Sequence, residues 1–152
     1  MRHWLMKSEP DDCSIDDALA APGCITPWNG VRNYQARNYM RDQMRLGDGV
    51  LFYHSSCAEP GIAGIAEVAS ASYPDVTQFD RKSEYYDPKS KKDSPRWFNV
   101  DVRALRKTRL VPLAALKAQK SLSGMLTLRP GNRLSITPVT AAQWQAILKM
   151  VR

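Results

Sequence analysis

GDGVLFYHSSCAEPGIAGIAEV, residues 47–68, holds two apolar runs separated by a polar loop. Gly47-Asp48-Gly49 reads as a tight turn, and Val50-Leu51-Phe52-Tyr53-His54 behind it is the clearest strand in the chain. After the loop Ser55 to Pro60, residues 61–68 alternate, with Ile62, Gly64, Ala66 and Val68 on one side and Ala63, Ile65 and Glu67 on the other. Two such runs predict an antiparallel ribbon. The glycines within it mark a bend or a close backbone approach.

On the N-terminal side, Trp4-Leu5-Met6 reads as a short buried strand that runs into a turn, Lys7-Ser8-Glu9-Pro10. Ser14 with Asp17 resembles a capping box and starts a short helix that Pro22-Gly23 stops. Thr26 to Gly30 is turn-like, and residues 32–44 read as a helix. On the C-terminal side, no period holds from Tyr73 to Arg96, and a connection of that length in a compact fold is expected to carry function. A strand over 97–104, a short strand Arg109-Leu110-Val111, a helix over 113–117 and a last strand Arg133-Leu134-Ser135-Ile136 follow. Thr140 and Gln143 form a capping box for a terminal helix. About six strands with helices inserted among them predict an α+β fold, a small antiparallel barrel or curled sheet flanked by helices. A length of 152 residues suits one domain over 1–152.

The net charge of +7 favours a polyanionic partner, and its distribution sharpens this. Residues 1–75 carry 6 Lys/Arg against 10 Asp/Glu, whereas residues 76–152 carry 16 against 5, so the positive excess lies in the second half. Cys13, Cys24 and Cys57 are too few and too widely spaced for a disulfide framework or a close metal pair, and no cofactor or metal is expected. Signatures for zinc proteases, dinucleotides, phosphate loops and serine hydrolases are absent. Without a leader or a long apolar run, the expectation is a soluble intracellular protein with no membrane partner, cytoplasmic in a bacterium or nuclear in a eukaryote.

Candidate binding residues cluster at breaks in regular structure. Trp28, placed in a turn, is either folded over the core or offered to a planar base for stacking. Asn29 and Asn33 can donate and accept along a base edge, and Arg32 suits a phosphate or a buried carboxylate. Ser8, Tyr53 and Ser55 stand at strand ends, where a shallow polar hole could form with Lys7 and Pro10 beside it. Arg81, Lys82, Lys89, Lys91, Lys92 and Arg96, interleaved with Tyr85, Tyr86 and Trp97, are candidates for contact with a nucleic-acid backbone. A general acid/base pair of Glu9 with Asp75 or Asp80 is the enzymatic alternative.

Taken in order, several blocks resemble the EVE domain family: Trp4 to Pro10, Trp28 to Asn33, Gly47-Asp48 with Phe52 to Ser55, and Gly61 to Gly64. Tyr73-Pro74-Asp75, Tyr86 to Lys89, Pro95-Arg96-Trp97 and Leu134 to Val139 continue the pattern. The resemblance implies a PUA-like pseudo-barrel related to YTH and ASCH domains, and a non-catalytic reader of modified bases in DNA or RNA, with cytosine derivatives in DNA favoured. By the same resemblance, Lys7-Ser8 matches the polar strand end beside the YTH pocket and Trp28 its first cage tryptophan, while Tyr73 or Trp97 supplies a second wall. Where YTH domains place further tryptophans this chain has Tyr73 and Phe79, which points away from methyladenine. The implied mechanism captures a flipped base, with Ser8, Asn33 or Ser55 reading its polar edge. An effector acting on the recognised site is then expected from a separate protein. A base- or RNA-processing activity and binding of a small heterocycle are the competing expectations.

Overall fold

The structure, a computed structural model, describes residues 1–151. Its strands are β1 (His3–Ser8), β2 (Ile25–Pro27), β3 (Gly49–His54), β4 (Gly61–Val68), β5 (Tyr73–Pro74), β6 (Phe98–Asn99), β7 (Asp101–Pro112) and β8 (Ile136–Val139). The α-helices are α1 (Pro10–Cys13), α2 (Ile15–Ala20), α3 (Tyr34–Asn38), α4 (Leu113–Ala118) and α5 (Ala141–Met150). Six strands form one sheet in the order β2-β7-β4-β3-β1-β8, and β5 pairs with β6 in a separate two-stranded ladder. This is the expected α+β arrangement, but the sheet stays open, with β2 and β8 as its edges. No helix among the described residues is long and apolar enough to cross a membrane.

The ribbon read from residues 47–68 is present, with β3 antiparallel to β4 and a register shift between Phe52 and Tyr53. β1 lies parallel to β3 on its other side, so that Lys7 pairs with Tyr53 and Ser8 with His54. Alternation along these central strands feeds two cores. Trp4, Met6, Val50 and Phe52 pack with Ile15, Trp28, Met40 and Val100 on one face. Leu5, Leu51, Tyr53 and Ile62 pack with Leu116, Leu122, Met125 and Ile147 on the other. Coverage on both faces explains why β1 and β3 are continuously apolar.

Several element boundaries depart from the sequence reading. The two strands read over 97–104 and 109–111 give way to the short β6 and the continuous β7; exposed Leu105, Arg106 and Lys107 interrupt the apolar pattern where the β4–β7 register shifts twice. Expected over 32–44, the helix instead begins after Asn33 and passes at Tyr39 into a π turn, closed by the Met44 amide on the Tyr39 carbonyl at 2.9 Å. Buried Ala36, Met40 and Met44 recur at a spacing of four, wider than the 3.6 of an α-helix, and the wider turn keeps them on one face. The last strand is displaced from 133–136 to Ile136–Val139, where Pro138 is tolerated because β8 is an edge. Thr26 and Pro27, read as part of a turn, belong to β2, which pairs with β7 at the opposite edge, and Pro10 opens α1 rather than ending a turn.

Both capping boxes form: Ser14 with Asp17 on α2 and Thr140 with Gln143 on α5. The Ile15 amide also donates to Nε2 of His54 at 3.1 Å, which ties the start of α2 to the end of β3. The ribbon glycines serve close approach. A Cβ at Gly61 would meet the Val111 carbonyl oxygen and lie 2.8 Å from Cα of Pro112. Gly61→Ala is expected to destabilise the protein by about 1–3 kcal/mol, the usual range for overpacking, as measured by urea denaturation. Unchanged stability would contradict this packing.

Candidate nucleic-acid interface

The end of β1, the end of α1, the end of β2 with the segment after it, and the loop around Tyr85 line a cleft of about 460 Å³. Lys7, Ser8 and Glu9 line one side and Pro27, Trp28 and Asn29 another, with Glu84 and Tyr85 facing them. Trp28 both walls the cleft and belongs to the core: it is 7% exposed and packs edge-on against Phe52 at 5.5 Å. Its amide donates to the Val100 carbonyl at 2.8 Å, so the turn that holds it is anchored to the sheet. Cleft and core thus share one indole.

Three carboxylates, from Glu9, Asp12 and Glu84, line the cleft against one cation, Lys7. Burial pushes the Tyr85 hydroxyl above its ordinary pKa, and Glu84, Asp12 and Glu9 push it further in the same direction. Burial lowers that of the Lys7 ammonium. Ser8 is already committed, its hydroxyl donating to the Cys13 carbonyl at 2.6 Å and its own carbonyl accepting from the Ser55 amide at 3.0 Å. Among the described residues no His, Cys, Asp and Glu side chains gather as a metal-binding group.

The loop from 73 to 97, aperiodic in sequence, is held by buried polar side chains. Asp75, fully buried, accepts from the Gly30 amide at 2.7 Å, Nη1 of Arg32 at 3.1 Å and the Thr77 amide at 2.9 Å, as well as from the Thr77 hydroxyl. Burial raises the Asp75 pKa, but these hydrogen bonds outweigh it and hold the carboxyl below the ordinary range. Arg32 also donates to the Tyr85 carbonyl from Nε at 3.2 Å and Nη2 at 2.8 Å. Gly30, at φ +81°, leaves no room for a Cβ beside the Tyr85 ring. Deeper in the loop, the buried Gln78 amide donates to the carbonyls of Asp75 and Trp97 and accepts from the Trp97 amide and the Ser90 hydroxyl.

Of the residues read as a base pocket, the structure brings Lys7, Ser8, Trp28 and Asn29 to this cleft. The others serve elsewhere. Asn33 caps α3 by accepting from the Ala36 amide, and Pro10 occupies the first turn of α1. Ser55 backs Ser8 through the main chain, and Tyr53 points to the opposite face of the sheet. Tyr73 donates its hydroxyl to Asp101, and Trp97 donates its indole N–H to Asp87 at 2.8 Å while stacking on Tyr34. Arg32, read as a phosphate contact, spends its donors on Asp75, Thr77 and main-chain carbonyls. Sequence reasoning missed Tyr85 and Glu84 as cleft residues, since no local pattern joins Tyr85 to Arg32, 53 positions away. Arg81, Lys82, Lys89, Lys91 and Lys92 are exposed on the loop, and Arg96 is half-buried with Nη1 4.0 Å from Asp87. The acid/base pair is not assembled, for Glu9 lines the cleft while Asp75 is engaged internally and Asp80 caps a turn by accepting from the Lys82 amide.

The EVE domain profile matches residues 2–150. The chain belongs to the EVE domain family. Over 165 aligned residues it is 46% identical to thymocyte nuclear protein 1 of Homo sapiens, covering 97% of this chain and 73% of that protein. A crystal structure of human THYN1 in complex with 5-methylcytosine-containing DNA matches this EVE domain at a TM-score of 0.93 and 42% identity, covering 100% and 98% of the two chains. A Pseudomonas putida protein matches at 0.94 and 45% identity, covering 99% of each. An ASCH protein from Zymomonas mobilis, only 10% identical, shares the fold at a TM-score of 0.59.

Asp75→Asn is expected to cost about 3 kcal/mol, because it leaves the Arg32 guanidinium without its counter-charge in a confined site. The lowered Asp75 pKa contributes stability that is complete above the unfolded value of about 3.9 and is lost as pH falls through the folded value. Urea midpoints taken from pH 7 to pH 3 should therefore fall less steeply in the variant than in the wild type. Parallel acid limbs would show that Asp75 is not the responsible group.

Proposed function

We propose that this EVE domain reads a modified base, a cytosine derivative in DNA, by accepting it into the Trp28–Tyr85 cleft without transforming it. The observation that carries the reading is an aromatic cleft rimmed by carboxylates on an otherwise basic protein. Supporting it is the 5-methylcytosine DNA held by the similar human THYN1. An acidic rim is a poor receptor for phosphate, but carboxylates accept well from the exocyclic amine of cytosine. Glu9 and Glu84, which line the cleft, supply acceptors for that amine, and Asn29, exposed on the rim, can donate to the ring carbonyl or nitrogen. Thymine presents a carbonyl where cytosine presents the amine, so the same carboxylates repel it. A polar site of this kind rejects the wrong base more sharply than an apolar wall senses one methyl group.

A base reaches such a cleft by leaving its stack, at a cost of a few kcal/mol that stacking and edge hydrogen bonds offset. Exposed Arg81, Lys82, Lys89, Lys91 and Lys92 provide the salt-dependent attraction to the strand.

Duplexes carrying one 5-methylcytosine, cytosine or thymine at the same position, titrated at two salt concentrations, test the division of labour. Glu84→Gln should reduce the preference for the cytosine duplexes over thymine by roughly tenfold, the scale of one good edge contact, and leave the fold intact because Glu84 is exposed. Lys91→Ala with Lys92→Ala should weaken all three duplexes equally. Loss of selectivity in the lysine variant, or unaltered selectivity in Glu84→Gln, would count against the assignment.

A further inference from the structure

A second cleft, of about 470 Å³, adjoins the first across the end of β1 and shares Lys7 with it. Its other walls are Tyr53 on β3, Lys117 at the end of α4, and the turn Arg129 to Asn132. The charges of the two clefts are opposed: beside the shared Lys7, the first carries Glu9, Asp12 and Glu84, whereas the second carries Lys117 and Arg129 and no carboxylate. Among the described residues none of these three cations forms an ion pair. Lys7 is half-buried, with Nζ 5.7 Å from the centre of the Tyr53 ring. A cation removed from water without a counter-ion is an unfavourable arrangement that a bound anion relieves.

The turn presenting Arg129 is built rather than loose. Asn132 donates from its amide to the Leu126 carbonyl at 2.7 Å and accepts from the Leu134 amide at 2.8 Å. Gly131, at φ +79°, reverses the chain, and the buried hydroxyls of Thr127 and Thr137 meet at 2.6 Å to fix the segment to β8. Arg129 therefore extends from a braced loop, and its planar fork matches two oxygens of a phosphate.

We infer that this second cleft binds a backbone phosphodiester of the strand whose base enters the Trp28 cleft, with Lys7, Lys117 and Arg129 as its cations. The assignment rests on the base-reading function proposed above and names the partner of the neighbouring surface. The two clefts then divide one nucleic-acid strand by chemistry, an acidic aromatic site for the base and a basic site for the backbone. Phosphate recognition here does not depend on base identity.

The test uses the intact chain and fluorescent duplexes with and without one 5-methylcytosine, titrated across a range of salt. Lys117→Ala with Arg129→Ala removes two exposed cations. It should weaken both duplexes by the same factor, leave their affinity ratio unchanged and reduce the salt slope by about two. Lys120→Ala with Lys149→Ala, an equal loss of charge outside the cleft, should leave the slope near that of the wild type. Equal effects of the two double variants, or an unchanged slope in the first, would overturn the inference. Inorganic phosphate that shifts the Gly131 amide resonance while an unmodified duplex does not would also overturn it, in favour of a free-anion site. If both duplexes bind equally and the Lys117/Arg129 variant weakens each, the base reading fails and the backbone site stands. If the modified duplex is preferred and that variant binds like the wild type, the backbone site fails and the base reading stands.

Discussion

Asp75 keeps a negative charge in a fully buried position because donors from residues 30–32 and from Thr77 converge on it. A buried carboxylate without such donors would be strongly unfavourable, so the chain around it has little freedom. Gly30 must offer its amide in a left-handed conformation, which fixes the turn carrying Trp28 and Asn29. Arg32 must reach Asp75 and in doing so takes the Tyr85 carbonyl with it. Both aromatic walls of the cleft are thereby set from one charge. A long loop that would otherwise be costly to order becomes part of a preorganised surface.

A second constraint is the parallel pairing of β1 with β3. Their ends arrive at one place, and alternation sends adjacent side chains to opposite faces. Met6 and Ser8 belong with the Trp28 side, Leu5 and Tyr53 with the α4–α5 side, and Lys7 borders both clefts. Opposite charge on two neighbouring surfaces is therefore a consequence of strand geometry, not of blocks in the sequence. The acidic first half and basic second half of the chain are interleaved in space, since Glu84 from the basic half joins Glu9 and Asp12 while Lys7 from the acidic half joins Lys117 and Arg129.

Local chemistry was the readable part. The capping boxes at Ser14 and Thr140 and the ribbon of residues 50–68 depend on neighbours near in the chain, and each formed as read, whereas the backbone that Gly61 approaches, at Val111 and Pro112, lies about fifty positions away. Trp28 in a turn was recognisable as a residue with two possible fates, and it serves both core and cleft. Arg32 was similarly balanced between a phosphate and a carboxylate. Nothing beside it in sequence identifies Asp75, 43 positions away, as the partner that takes its charge. The same holds for Asn33, whose amide was free on paper to read a base but caps α3, and for Trp97, whose indole is taken by Asp87.

By itself the sequence determined the α+β class, most of the central strands, both helix caps and the family. These follow from periodicity, from contacts within a turn of chain and from ordered motifs. Tertiary structure alone decided which polar groups remain free to meet a ligand. That question is one of competition, because a donor or acceptor is available only after every buried partner elsewhere in the fold has been satisfied. The ribbon of residues 47–68 shows the division plainly. Its strands are written in one continuous apolar run and one alternating one, while the partners that Tyr53 and His54 meet on opposite faces were settled by what packed there.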